Sequence, residues 1–280
     1  HMAGGVAFVL LMFGAPSWAI VLIGALVLGT YMAVQPAIAQ PWMRKVTGSD
    51  DFGLAHTMSS LILLSALLGK VFGNAKKSVE EIKMPSNLEF FRDMAVSFSL
   101  IMLLMFTVPA IFMGYPNLVG VAGAQNPIVF IIVQSLTAAG GILVVLQGVR
   151  MFIGELIPAF RGIAMKFVPG AKPAVDVPVV FPFAPTGVVL GLITCFIGWV
   201  SGMFISGALN LSIIAVPSMI GVMFGGTTAG VYGNALGGKR GTIIAGLVCG
   251  LLWPIAAGLF YPLLDFPGYG ITGTALLTPD

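Results

Sequence analysis

The sequence predicts an all-α polytopic membrane protein, with transmembrane helices and re-entrant hairpins in an inverted-repeat transporter architecture. Three observations lead there. Of the 280 residues, 58% are hydrophobic and only 8% charged, against about 25% charged in soluble domains. The apolar residues run continuously instead of alternating, which excludes a β-barrel. Two segments, one around His56 and one around Asp176, set polar groups on interrupted apolar sequence, and such pairs point to a transporter's binding site.

The elements follow in order. Residues 3–13 are apolar and Gly14-Ala15-Pro16-Ser17 reads as a turn. That leaves about 11 helical residues where a span needs roughly 20, so the first helix is expected to have lost its beginning. Residues 18–35 form the first complete span, ending near Arg44-Lys45 on the cytoplasmic side. After a polar joint at 47–53, residues 54–72 carry His56, Thr57, Ser59, Ser60 and Ser65 among apolar residues and end near Lys70. Both flanks are basic, so this piece dips in and returns as a re-entrant hairpin or half-helix. Residues 75–93 alternate in charge and suit an amphipathic interfacial helix or a solvated loop.

Residues 94–113 span outward, the uncharged 114–126 form an outer loop, and 127–149 span back. Arg150, Arg161, Lys166 and Lys172 mark the inside again. The next stretch, 173–185, holds Asp176 among Pro173, Pro178, Pro182 and Pro185. A carboxylate at the bilayer centre costs about 2.5–3.5 kcal/mol, and prolines leave carbonyls without helical partners. Broken backbone is tolerated in a membrane only where protein or a watery cavity covers it. Residues 187–205 span outward. Residues 211–224, interrupted by Pro217, run through the glycine-rich 225–230 into 231–234 as a second broken or re-entrant element. Gly237-Gly238-Lys239-Arg240-Gly241 is cytoplasmic, and 242–260 span outward. A further helix is expected beyond residue 280.

Several functions are excluded. The net charge of +3 comes from 13 basic residues gathered between apolar segments, a loop pattern and not a nucleic-acid surface. Cys195 and Cys249 lie in apolar runs and read as small buried hydrophobes. No His/Cys/carboxylate group has metal spacing, no catalytic arrangement is evident, and no cofactor is implied. The 225–230 run lacks the Gly-Lys-Ser/Thr ending of a phosphate loop, and its glycines read as helix packing.

The polar candidates each have two readings. Asp176 is either a carboxylate at the membrane edge paired with Lys172, or a charge-assisted acceptor for solute hydroxyls. His56 is either satisfied by its neighbours or a solute ligand.

The run Gln147-Gly148-Val149-Arg150-Met151-Phe152, then Glu155-Leu156, Ala159-Phe160, Gly162-Ile163, Pro169-Gly170-Ala171, Asp176 and Phe183-Ala184-Pro185 resembles the signature of the ascorbate-specific enzyme IIC family of the bacterial phosphotransferase system. Phe52-Gly53 with His56, the stretch 76–85, and Gly225-Gly226 through Gly233-Asn234 to Gly237-Gly238 resemble it too. The resemblance covers most of the chain from Trp18 on and implies a fragment of a longer permease. It implies a homodimer in the bacterial inner membrane, with a dimerising domain and a substrate-holding core. A soluble enzyme IIB partner would phosphorylate the arriving sugar from a phosphocysteine, so the chain itself is not expected to be an enzyme.

On this resemblance residues 1–93 are core with the first re-entrant segment, 94–150 resemble the dimerising domain, and 151–280 are the remaining core. The implied substrate-binding residues are Asp176, matching the family's ligand-binding aspartate, His56, and Thr57, where the family commonly has a longer glutamine. The family's histidine in an earlier helix has no secure match, and His1 is the one candidate. The expected solute is L-ascorbate or a related polyol. The alternative is a secondary transporter coupled to protons through Asp176 or His56. A third class, a membrane scaffold, would tolerate loss of Asp176.

Overall fold

The computed structural model describes residues 6, 9–56, 58–82 and 93–264. Within them lie α1 (Ser17–Thr47), β1 (Gly53–Leu54), α2 (Ser60–Phe72), a 3-10 turn (Val79–Glu81), α3 (Met94–Met113), α4 (Tyr115–Ala122) and α5 (Pro127–Phe167). These are followed by β2 (Ala174–Val175), a 3-10 helix (Val177–Phe183), α6 (Pro185–Ala208), α7 (Met219–Phe260) and a 3-10 turn (Tyr261–Leu264). Five helices are long and apolar enough to cross a membrane, as the composition predicts. Their outer faces are apolar and open: Val21, Ile111 and Val144 are each about 70% exposed, and such side chains suit lipid.

The most tightly packed part joins α2, α6 and α7. The helix α7 is two antiparallel arms, because its backbone leaves helical geometry at Gly238 (φ 57°, ψ −147°). The Thr242 hydroxyl donates to the Gly230 carbonyl at 3.4 Å, although the two are 12 residues apart. A straight helix would hold them about 18 Å apart. Only glycine fits at the turn, since a Cβ on Gly238 would lie 2.2 Å from the Lys77 carbonyl oxygen. Loop 73–77 clasps this turn: Asn74 N–H donates to the Gly237 carbonyl, and Lys239 N–H to that of Lys77.

The arms pack by backbone contact. A Cβ on Gly191 would meet the Gly226 oxygen at 2.3 Å, and one on Gly230 the Gly187 oxygen at 2.0 Å. Small residues let membrane helices approach this closely, where dispersion replaces the hydrophobic effect as the driving force. The element expected at 211–234 as broken or re-entrant is thus broken only ahead of Met219: its 225–234 part is continuous helix, and the chain breaks again at Gly238. Residues 211–218 are non-helical.

The helix α6 starts with Pro185, and its first N–H groups are capped from elsewhere in the chain. Glu80 Oε2 accepts from Thr186 N–H at 3.2 Å and Oε1 from Gly187 N–H at 2.8 Å. Asn234 holds the loop that delivers Glu80, its Oδ1 accepting from Val79 N–H at 2.9 Å. A carboxylate at a helix N-terminus satisfies orphan donors and meets the positive end of the dipole. The expected amphipathic helix at 75–93 falls largely on residues outside those described, and the part that is described holds the Val79–Glu81 turn.

Two helices outrun the spans expected. The first continues past Gln35, through Pro36 and Pro41, to end at Gly48 in a left-handed cap (φ 70°). The helix α5 passes Val149 and runs through Arg150, Glu155 and Pro158 to Phe167. The expected outer loop at 114–126 contains the short helix α4. The helices α3 and α5 pack together through Phe98, Met102 and Met105 against Ala139, Ile142 and Leu146.

Candidate solute site

The site is made where two extended arms run side by side. The helix α1 runs toward the end where α7 turns: Tyr232, on the arm just before Gly238, donates its hydroxyl to Met43 Sδ at 3.0 Å. At Gly48 the chain reverses and returns along α1. Gln40 Nε2 pins it by donating to Asp50 Oδ1 at 2.8 Å and to the Phe52 carbonyl at 3.2 Å. The arm climbs to His56, turns, and descends as α2, whose far end meets the α7 turn at Gly69 and Gly73. Residues 48–73 thus leave one end of the molecule, reach its interior and come back.

A second arm does the same. Pro173 to Asp176 rises beside the first, and the 3-10 helix returns it to α6. The strands β1 and β2 pair in parallel, Gly53 opposite Ala174 and Leu54 opposite Val175. Gly53 N–H donates to the Pro173 carbonyl and Ala55 N–H to that of Val175, both at 2.9 Å. This pairing satisfies backbone that the prolines deny to a helix, and it brings the two residues beyond the strands, His56 and Asp176, together.

His56 Nε2 lies 3.9 Å from Asp176 Oδ1, too far for a hydrogen bond. The Met58 N–H donates to His56 Nδ1 at 3.0 Å. Nδ1 is then an acceptor, so the neutral ring carries its proton on Nε2, facing the carboxylate. The Phe224 ring packs on the imidazole at 5.0 Å between centroids. Asp176 Oδ1 also caps the 3-10 helix, accepting from Val177 N–H at 2.7 Å. The His56 side chain is 17% exposed and that of Asp176 54%. A donor and a charged acceptor therefore stand side by side, 3.9 Å apart, and neither is used up by the other. The first turn of α2, beginning at Ser60, adds the positive end of a helix dipole beside His56.

Lys172 does not pair with Asp176. Its Nζ donates to Asp50 Oδ2 at 2.5 Å, and Arg44 Nε lies 3.6 Å from Asp50 Oδ1. This triad stands where the two arms start. The hydrogen bonds from Lys172 and then from Gln40 hold the Asp50 carboxyl below its ordinary value of 3.8. A cavity of about 540 Å³ next to it is lined by Gln40, Arg44, Lys172, Gly53, Gly170 and Pro173 among others. Among the described residues no group of His, Cys, Asp and Glu could hold a metal ion.

Of the three residues expected at the site, the structure brings His56 and Asp176 together, while Thr57 lies outside the described residues. Sequence reasoning missed Gln35, Gln40 and Glu80. Their partners are far along the chain, Gln35 meeting Ser59 and Glu80 meeting Gly187. The one signal for Gln35 was an amide inside an apolar run.

Residues 1–279 match the model of a family described as the PTS system sugar-specific permease component. The chain is also similar to the ascorbate-specific PTS system EIIC component of Mycoplasma pneumoniae, with 30% identity over 260 residues. The overlap covers 83% of this chain and 39% of that protein.

Proposed function

The chain belongs to the family of PTS sugar-specific permease components, and we propose on that premise that it forms part of an enzyme IIC subunit that carries L-ascorbate or a related polyol. The observation that carries the reading is the juxtaposition of the His56 Nε2–H and the Asp176 carboxylate, 3.9 Å apart and not hydrogen-bonded to each other. The similar protein from Mycoplasma pneumoniae bears an ascorbate-specific name, and ascorbate offers a partner to each of the two groups. It is an anion near pH 7 with neutral hydroxyls at its other end. The enolate belongs against His56 and the N-terminus of α2, and the hydroxyls donate to Asp176. The reverse orientation would set two negative charges together. Thr57 is proposed as a further ligand.

The parent protein is proposed to work as a homodimer in the bacterial inner membrane. Residues 94–150 belong to the dimerising domain, and 1–93 with 151–280 to the substrate-holding core. The two arms are the re-entrant hairpins of that core, entered from the cytoplasmic end, where Arg44, Lys45, Lys172, Lys239 and Arg240 gather. Phosphoryl transfer falls to a separate enzyme IIB. Cys195 and Cys249 are both buried among helices, out of reach of a phosphoryl donor.

The test is uptake by membrane vesicles holding the complete parent protein. Labelled L-ascorbate should accumulate as a phosphorylated product only when enzyme IIB and a phosphoryl donor are inside. Unmodified ascorbate accumulating in response to a pH gradient, with no partner, would overturn the reading in favour of proton-coupled transport.

A further inference from the structure

Gln35 lies on α1, 5% exposed, and its Nε2 donates to the Ser59 carbonyl at 2.7 Å. Ser59 Oγ accepts from the His56 N–H at 2.7 Å. The His56 carbonyl accepts from Ser59 N–H at 2.9 Å, closing the turn. Inside this turn Met58 N–H reaches His56 Nδ1, and that bond fixes which ring nitrogen holds the proton. A second tie from α1, the Tyr31 hydroxyl accepting from Ser60 N–H at 3.3 Å, holds the next residue.

Gln35 is a poor choice for stability alone. Its Oε1 is buried and without a hydrogen-bond partner among the described residues, which is uncommon in folded proteins. A leucine or methionine would fill the position and leave no orphan acceptor. Local rules are broken in this way mostly at functional sites. What the amide supplies is the bond to Ser59, and through Ser59 the orientation of His56.

We infer that Gln35 is a positioning residue for the solute site: it holds the 56–59 turn so that His56 presents Nε2–H, and not a bare nitrogen, toward Asp176. This rests on the reading of His56 and Asp176 as solute ligands. It also makes the site selective, since the histidine side then offers only a donor and the aspartate side only acceptors. A solute must bring an acceptor or anionic edge to one and hydroxyls to the other.

The test uses the complete parent protein with 15N-labelled histidine, the His56 signals being assigned from a His56→Ala sample. In the unsubstituted protein Nδ1 should give the unprotonated signal and Nε2 the protonated one. In Gln35→Met the two should move toward a mixture of tautomers, with L-ascorbate binding about five- to tenfold weaker, the worth of one hydrogen bond. Ser59→Ala, a smaller change in case Gln35→Met does not fold, should mix the tautomers in the same way. His56 signals unmoved by either substitution would overturn the inference, whatever happens to stability. If the unsubstituted protein binds no L-ascorbate, the solute reading fails, and the tautomer signals still decide the role of Gln35.

Discussion

Where α6 meets α7, backbone touches backbone, and no room is left for a methyl group at Gly191 or Gly230. Where the two arms meet, a histidine and a carboxylate stop 3.9 Å short of each other. The first region is close to ideal for its environment, with helices that satisfy their own backbone and glycines that bring dispersion contacts to their shortest range. The second breaks helical hydrogen bonding at four prolines and carries a charge that costs energy in an apolar setting. The contrast teaches that the rigid trio of helices serves as a frame. The extended halves of the arms, up to His56 and Asp176, are held by a few bonds, the first to α1 through Gln40 and the two to each other through one short strand pair.

The largest expected effect comes from filling the frame. A Gly230→Leu side chain has no space, its Cβ alone falling 2.0 Å from the Gly187 oxygen. Overpacking usually costs about 1–3 kcal/mol, and more where the neighbour is backbone that cannot move. The parent protein should fail to yield a monodisperse peak on size exclusion. Normal yield and melting temperature would show that α6 and α7 are not so close.

A middle effect is expected at the link between the frame and the second arm. Glu80→Ala removes the cap from the Thr186 and Gly187 N–H groups and should cost about 0.5–2 kcal/mol, read as a melting temperature lower by a few degrees. Because α6 directly follows the Asp176 segment, solute affinity should fall as well. Unchanged thermal stability would contradict the capping role.

The smallest effect is at the base of the arms. Asp50 is exposed, and its folded-state pKa lies below its ordinary value of 3.8. Its contribution to stability is therefore present above pH 3.8 and is lost as pH falls through the lower, folded-state pKa. Melting measured from pH 6 downward should show slightly less acid sensitivity in Asp50→Asn than in the unsubstituted protein. Identical curves would mean that water screens the Lys172 and Arg44 contacts completely.

Much of the frame was legible in the sequence. Continuous apolar runs marked the spans, and basic residues such as Arg44, Lys45, Lys239 and Arg240 marked one end. His56 and Asp176 stood out because polar groups on broken apolar sequence are rare. The helix limits were less legible. The span expected at 18–35 was too short, since a proline removes one hydrogen bond and a helix can kink and continue, as this one does through Pro36 and Pro41. The glycine-rich 225–234 run read as helix packing yet was placed within a broken element, because Pro217 and the short apolar run ahead of it hid where the helix begins. In a packed membrane helix the same residues create the contact surface. The parallel pairing of Gly53–Leu54 with Ala174–Val175 was beyond reach, since two residues carry no periodicity. Gln35 and Glu80 were missed for a related reason, as each acts on a group that only the fold brings near.

The central claim is that Asp176 is a solute ligand and not part of the frame. The most direct measurement is the affinity of labelled L-ascorbate for the complete parent protein with and without Asp176→Asn, taken together with the melting temperature of each. The amide keeps the shape and an acceptor for Val177 N–H but loses the charge. The account predicts binding lost or weakened by a hundredfold or more, the scale of about 3 kcal/mol for a charged hydrogen-bond acceptor, with melting within a few degrees. Full affinity in Asp176→Asn would contradict it and return Asp176 to a purely structural role at the start of its 3-10 helix.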